Sequence, residues 1–164
     1  MSDVNASLQA NKALVLEFLD AVFNGPEERL VSLMSPDCLC FVLGDTWASG
    51  FHTKDEWLTG WRHATATIHS DVTVSIGAMT AEDDRVAVEA ESHGSSPSGK
   101  PSHIQYHFLF RIRDSRISAF KEYFDTQAAF AAFDITPAAA EVELGSNIET
   151  VTHVISRRPV TAGG

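Results

Sequence analysis

The sequence predicts a single α+β domain in which helices come first and an antiparallel sheet follows. Apolar residues recur at helical spacing over residues 6–23, and a shorter apolar helix face follows Pro26. A third helix is indicated where Thr53 precedes Glu56 by three residues, because this spacing forms a capping box. From residue 71 onward the apolar period changes to two, which is typical of strands.

Turn-forming residues divide the rest of the chain into short elements. Asp114 and Ser115 separate two long alternating segments, which indicates a hairpin with a two-residue connection. The predicted elements beyond the second helix are a strand at 38–43, a loop at 44–50, the helix from Thr53 to about residue 67, a strand from 71 to a turn at 81–84, a strand at 85–93, a loop at 94–101, strands at 103–113 and 116–125, and a helix at 127–133.

The length of 164 residues is enough for one domain with its own core. We expect this domain to span residues 1–134. The remaining residues, 135–164, form a C-terminal extension for which an extra strand, an arm on a partner subunit and a mobile tail are all compatible with the sequence.

Charge and composition restrict the classes of partner. The net charge of -10, with 22 acidic against 12 basic residues, would repel a phosphate backbone or an anionic membrane. Ten Phe and three Trp favour an aromatic core or cavity lining. Glycine-rich phosphate loops and clustered His/Cys spacings are absent from the sequence, so no cofactor and no metal are predicted. Without a signal pattern, a cytoplasmic location is expected.

The two cysteines, Cys38 and Cys40, occupy alternate positions of the first predicted strand. A disulfide between such neighbours would be strained, and zinc would need further ligands at a recognisable spacing. We therefore expect two small apolar side chains packed beside the core.

Three segments carry a resemblance to a known family: residues 50–56 (GFHTKDE), residues 106–117 (YHFLFRIRDSRI) and residues 122–126 (EYFDT). Together with the order of elements, they resemble the nuclear-transport-factor-2-like superfamily. Within it they resemble the SnoaL-like group, which includes polyketide cyclases and relatives of steroid isomerases. The resemblance implies a cone-shaped, curved mixed or antiparallel sheet wrapped around the N-terminal helices, a cystatin-like roll. It also implies a small apolar pocket and a homodimer.

The final hairpin offers two candidate polar sites. With a regular two-residue turn, Tyr106 would lie opposite Tyr123 and share the core face with Asp125. An acid near two phenols in apolar surroundings could transfer a proton, although a structural hydrogen-bond cluster is an equally simple reading.

The opposite face would pair His107 with Glu122, an imidazole beside a carboxylate. Such a pair is either catalytic or a surface or subunit-interface contact. A single bulge would exchange the faces beyond it and bring one of these two residues into the cavity. Leu109, Phe120 and Phe124 would share this outer face, where their apolar surface favours dimerisation.

Other side chains have simpler expected roles. Glu89, Glu91 and His93 alternate along one strand, which favours a solvated sheet face over a metal site. The candidate pocket-lining residues are Phe18, Val42, Trp47, Trp61 and Phe108.

Steroid isomerases of the superfamily use a Tyr late in the first helix, an Asp base on the first strand and an acid in the late hairpin. The resemblance places these positions at Phe18, Val42 and Phe108, all of which are apolar here. The resemblance therefore argues against that mechanism, because another base would be needed, and Asp45, three residues beyond Val42, could supply it only if its loop folds inward. A more apolar pocket is expected.

Two functions remain open from the sequence. One is a cofactor-free enzyme of the isomerase, cyclase or dehydratase kind that acts on a small apolar carbonyl compound. The other is a non-catalytic ligand-binding or dimerisation module.

Overall fold

A computed structural model of the chain describes residues 2–44, 46, 48–67, 72–95 and 99–133. In these residues four helices accompany one six-stranded sheet. The elements are α1 (Ser2–Asn24), α2 (Glu27–Leu33), β1 (Met34–Val42), β2 (Gly50–Thr53), α3 (Lys54–Thr67), β3 (Thr73–Glu82), β4 (Arg85–Ser95), β5 (Pro101–Arg113), β6 (Arg116–Phe124) and α4 (Thr126–Phe133). The predicted C-terminal extension at 135–164 lies outside the described residues.

The sheet is mixed, and it has the strand order β2-β1-β6-β5-β4-β3. Strand β1 runs parallel to β6, while the other neighbouring strands are antiparallel. Helix α1 packs against β3, β4 and β6, and α3 packs against β1 and β2, so the helices cover one face. This arrangement confirms the predicted α+β fold, a curved open sheet around N-terminal helices.

An aromatic cluster forms the centre of the core between α1 and the sheet. Phe18 of α1 is 1% exposed, and its ring lies 5.6 Å from that of Phe110 and 5.4 Å from that of Phe120. Trp57 of α3 meets Phe120 edge to face at 5.0 Å. Aromatic contacts of this kind join helix and sheet through dispersion as well as area burial.

The capping box at the start of α3 is confirmed. The backbone N–H of Thr53 donates to the Glu56 carboxylate at 2.8 Å, and the N–H of Glu56 donates to the Thr53 hydroxyl at 3.4 Å. The Thr53 N–H and the Thr53 hydroxyl, which also donates to the carboxylate at 2.8 Å, hold the pKa of Glu56 below its usual value. The cap fixes the position at which β2 ends and α3 begins, because Thr53 is also the last residue of β2.

Two local expectations were wrong. The end of the predicted loop at 44–50 and the following residues form β2, which pairs with β1 from Val42 to Leu39. Strand β1 also begins at Met34 instead of Cys38, and its pairing with β6 shifts between Met34 and Leu39. That irregularity tolerates Pro36, which has no N–H to donate to a ladder.

In the part of the chain that the structure describes, no helix is long and apolar enough to span a membrane.

Candidate active site

The geometry of the site is set by the turn that joins β5 to β6. Asp114 and Ser115 form the predicted two-residue connection, both with positive φ (51° and 56°), and Arg113 pairs with Arg116 as expected. The next pairs are Ile112 with Ile117 and Arg111 with Ala119, so one extra residue of β6 has no partner. That residue is Ser118, and its hydroxyl donates to the carbonyl of Arg111 at 3.2 Å. The hairpin therefore contains a β-bulge.

The bulge exchanges the two faces of β6 beyond Ser118, which makes the regular-hairpin pairings wrong. Tyr106 pairs with Phe124, His107 with Tyr123, Phe108 with Glu122 and Phe110 with Phe120. Neither candidate cluster forms as predicted. Directly paired residues share one face of the sheet, and the residues next to them in the chain lie on the opposite face. Tyr106 and Tyr123 are on opposite faces, and so are His107 and Glu122.

Glu122 points to the helix-covered face of the sheet, where acidic side chains are rare. Its strand partners are Phe108 of β5 and Val42 of β1, which are 5% and 4% exposed. Glu122 as a whole residue is half-buried, and protein surrounds its carboxyl. None of the described residues donates a hydrogen bond to that carboxyl. Loss of solvation raises the pKa of Glu122 from 4.5 to about 7.

Tyr106 is a polar neighbour of Glu122 on the same face. Because Phe108 pairs with Glu122, Tyr106 and Glu122 are diagonal neighbours across the two strands. The Tyr106 hydroxyl lies 3.2 Å from the hydroxyl of Ser92 on β4, and the ring stacks on Phe108 at 5.5 Å. Burial raises the pKa of Tyr106 to about 12, and the Ser92 hydrogen bond opposes that rise. The phenol thus stays protonated and able to donate a hydrogen bond at neutral pH.

Three other predicted site residues lie elsewhere. Asp125 is exposed, and its carboxylate accepts a hydrogen bond from the N–H of Ala128 at 3.0 Å, which makes it the N-cap of α4. Tyr123 is on the outer face, 6.3 Å from the ring of Phe41. His107 is exposed on that outer face. The structure therefore brings together only Tyr106 and Glu122 of the five predicted polar residues.

The predicted lining residues lie at different places in the fold. Phe18 fills the core, whereas Val42 and Phe108 flank Glu122. Trp61 is half-buried, and its indole N–H donates to the carbonyl of Val22 at 2.9 Å, which ties α3 to α1. Trp47 lies outside the described residues.

Cys38 and Cys40 are free thiols buried in the core, as predicted. The hydrogen bond with Cys38 is the main cause that raises the pKa of the Cys40 thiol, and burial adds to it. A thiol in this state is a poor nucleophile.

The apolar pattern of β6 contains the signal of its bulge. Regular alternation from Ile117 would place Ala119 and Lys121 inside, whereas one skipped residue after Ile117 places Phe120 and Phe124 inside. The second pattern turns Phe120 and Phe124 inward in place of Tyr123 alone, a gain of one aromatic ring, and leaves Glu122 as an acid between them. The sequence signal that places Ser92 in the site is weaker. Ser92 follows Val86, Val88 and Ala90 at alternate positions of β4, so it lies on the same face as these apolar residues.

Comparisons with known proteins place this chain in a family. Residues 15–120 match the SnoaL-like domain family. No curated protein matches the sequence.

Several solved structures share the fold. IdmH, a proposed polyketide cyclase from Streptomyces antibioticus, has a TM-score of 0.64 at 22% identity, over 74% of this chain and 96% of that chain. An NTF2-like protein from Burkholderia pseudomallei has a TM-score of 0.67 at 17% identity, over 76% and 97%. AclR from Streptomyces galilaeus, a proposed hydroxylase, has a TM-score of 0.65 at 15% identity, over 76% and 95%.

Identities this low establish a shared fold and leave the reaction open. The family match is more extensive, because residues 15–120 make up 106 of the 164 residues. This protein therefore belongs to the SnoaL-like domain family.

Proposed function

We propose that this protein is an enzyme of the isomerase, cyclase or dehydratase kind, in which Glu122 transfers a proton on a small apolar carbonyl compound. The observation that carries the proposal is the position of Glu122. Its carboxyl lies on the helix-covered face between Val42 and Phe108, without a hydrogen-bond donor among the described residues. A structural carboxylate in such a place would be expected to have a partner.

The protonation behaviour of Glu122 suits general acid–base catalysis. With a pKa of about 7, both the acid and the carboxylate are populated near neutral pH. The carboxylate can take a proton from the carbon next to a carbonyl group. The same carboxyl can return that proton to another atom of the substrate, so the enzyme ends the cycle unchanged.

Tyr106 supplies the complementary group. Removal of a proton beside a carbonyl moves negative charge onto the carbonyl oxygen, and a hydrogen-bond donor there stabilises the enolate. The Tyr106 hydroxyl is protonated at neutral pH and lies diagonally across from Glu122. Ser92 orients it through the 3.2 Å contact between their hydroxyls.

The flanking side chains favour an apolar substrate. Val42 and Phe108 take the positions at which the steroid-isomerase resemblance expects the Asp base and the late acid. Glu122 lies on β6, the strand between β1 and β5, so the proposed acid of this chain is on the strand next to the two expected positions. Apolar walls beside one polar group are typical of small-molecule pockets.

Hydrogen exchange at carbon tests the proposal without knowledge of the natural reaction. A panel of apolar ketones is incubated in D₂O with the wild-type protein or with Glu122→Gln, and loss of the α-proton signal is followed by NMR. We expect the wild type to accelerate exchange for a subset of ketones, and Glu122→Gln to exchange them at least about 100-fold more slowly. Equal rates for the two proteins, or no acceleration by the wild type, would contradict the proposal.

Tyr106→Phe is expected to slow the same exchange by about tenfold to hundredfold, because the enolate oxygen loses one donor. Tyr123→Phe is the matched control, since Tyr123 is on the opposite face of the sheet. It should leave the rate within about twofold of wild type, and a larger loss in Tyr123→Phe than in Tyr106→Phe would rule out the assigned role.

A non-catalytic ligand-binding module is the second candidate. The observation that favours it is the apolar character of Phe18, Val42 and Phe108, where the resemblance expects catalytic groups. Native mass spectrometry distinguishes the two functions. A retained apolar ligand, together with no accelerated exchange on any ketone, would favour binding alone.

We also propose that the protein forms a homodimer through its outer sheet face. The predicted outer residues Phe120 and Phe124 face inward instead, because of the bulge. Apolar surface is present at a different place, where Leu39 of β1 is 59% exposed and Phe51 of β2 is 57% exposed. Such exposed apolar side chains on the edge strand β2 and on its neighbour β1 favour association.

Phe51→Glu is expected to convert the dimer to a monomer, because a carboxylate would be buried at the contact. Light scattering of the purified protein measures the change. Val4→Glu on α1, a residue that is 65% exposed, is the control and should remain dimeric. If light scattering shows that the wild-type protein is itself a monomer, the proposed dimer is excluded.

A further inference from the structure

A cluster of three metal-ligating side chains lies on the outer face of the sheet, opposite the candidate active site. Glu91 and His93 occupy alternate positions of β4, and His103 of β5 is the direct cross-strand partner of His93. One ligand atom from each of the three side chains lies within 4.8 Å of the others. From this geometry we infer that Glu91, His93 and His103 form a binding site for a divalent transition-metal ion of the zinc type.

The distances within the cluster are close to those of a formed site. The Nε2 atom of His93 is 3.3 Å from one Glu91 carboxylate oxygen, and the Nε2 atom of His103 is 3.0 Å from the other. Ligand atoms bound tetrahedrally to zinc, with bonds of about 2.0–2.1 Å, lie about 3.3 Å apart. The three ligand atoms lie within 4.8 Å of one another, so an ion between them needs side-chain rotations that close the longest separation and replace the hydrogen bond between His103 and Glu91.

The backbone holds the three ligands in place. Strands β4 and β5 pair without a register shift from Arg85 to Ser95, so His93 and His103 stay side by side. Their rings stack at 4.1 Å with 15° between the planes, and both Nε2 atoms face the same carboxylate. A regular sheet holds ligands more rigidly than a loop does, which lowers the entropy lost on metal binding.

Ligand chemistry and access define the class of ion. Two imidazoles and one carboxylate suit zinc and neighbouring transition metals, whereas Mg²⁺ and Ca²⁺ prefer oxygen ligands. About half of each histidine side chain and 40% of that of Glu91 are exposed, so an ion can enter from solvent.

Ion pairing alone is a weak reason for this arrangement. Exposed pairs between imidazole and carboxylate contribute little to stability. The sequence reading of a solvated face considered only Glu89, Glu91 and His93. His103 is ten residues from His93 in the chain, and the pairing of β4 with β5 brings the two side by side.

Isothermal titration calorimetry of the full chain without an affinity tag tests the site, with ZnCl₂ as titrant and excess Mg²⁺ present. We expect a site for one zinc ion per chain that Mg²⁺ does not compete for. His103→Ala and Glu91→Gln should each weaken zinc binding at least about tenfold. Glu91 is half-buried and His103 is exposed, so both variants should fold, which circular dichroism checks.

The matched controls are Glu89→Gln and His107→Ala, a cross-strand glutamate–histidine pair on the same face and strands. They should bind zinc with wild-type affinity. Cys40→Ser should also bind normally, which separates this site from the buried thiols. The inference is overturned if the wild type binds no zinc, if His103→Ala binds as tightly as wild type, or if the control variants lose as much affinity.

Discussion

Glu122→Gln is expected to make the protein more stable above neutral pH by up to about 3 kcal/mol, while it removes the proposed activity. The carboxyl binds its proton more tightly in the folded chain, where its pKa is about 7, than in the unfolded chain, where the usual value is 4.5. Between these two pH values the folded state holds more protons, so wild-type stability falls as pH rises. Glutamine carries no charge and avoids that loss.

The measurement is the free energy of unfolding by denaturant for both proteins, from about pH 4.5 to about pH 8. The two curves should coincide near the acidic end and diverge as pH approaches 7. Glu89→Gln is the control, since Glu89 is exposed on the outer face and should show no such divergence. A constant difference between Glu122→Gln and wild type at every pH would show that the Glu122 carboxyl is not buried when charged.

This combination of effects distinguishes a functional acid from a structural one. Removal of a structural carboxylate would reduce stability at neutral pH, because its hydrogen-bond donors would lose their partner. Stability gained together with activity lost is the pattern expected of a catalytic group held in unfavourable surroundings.

Phe120→Ala is expected to destabilise the fold by about 3–5 kcal/mol, because it leaves a cavity in the centre of the aromatic cluster. Phe120 is 2% exposed and contacts the rings of Phe18, Trp57 and Phe110. The prediction depends on the bulge at Ser118, since a regular hairpin would turn Phe120 to the outer face.

Leu109→Ala is the matched comparison for that prediction. A regular hairpin would place Leu109 and Phe120 on the same outer face, whereas the bulge separates them and leaves Leu109 half-buried outside. Denaturant unfolding should show a loss of about 1 kcal/mol or less for Leu109→Ala. Similar small losses for both variants would mean that the hairpin is regular and that Glu122 lies outside.

Local signals predicted the elements well where the physical cause is local. The capping box of Thr53 and Glu56 and the turn at Asp114 and Ser115 each depend on residues a few positions apart. Strand β2 was missed because four residues carry little periodicity, and its existence depends on pairing with β1.

The candidate site was predicted in composition but not in arrangement. Tyr106 and Glu122 were both among the predicted polar residues, yet they were assigned to different faces. Each face assignment assumed uninterrupted alternation from the turn, and one extra residue reverses it for the rest of the strand. The skipped position at Ser118 was visible in the apolar pattern as the interval of three between Ile117 and Phe120.

The sequence by itself determined the α+β class, the family resemblance and the set of polar residues from which a site can be built. These follow from periodicity, caps and turns, which are properties of neighbouring residues. Only the tertiary structure decided that Glu122 faces inward beside Tyr106 and that His93 and His103 meet on the outer face. The physical reason is the pairing of strands: register is fixed by packing across the whole sheet, and a single bulge determines which side chains lie inside.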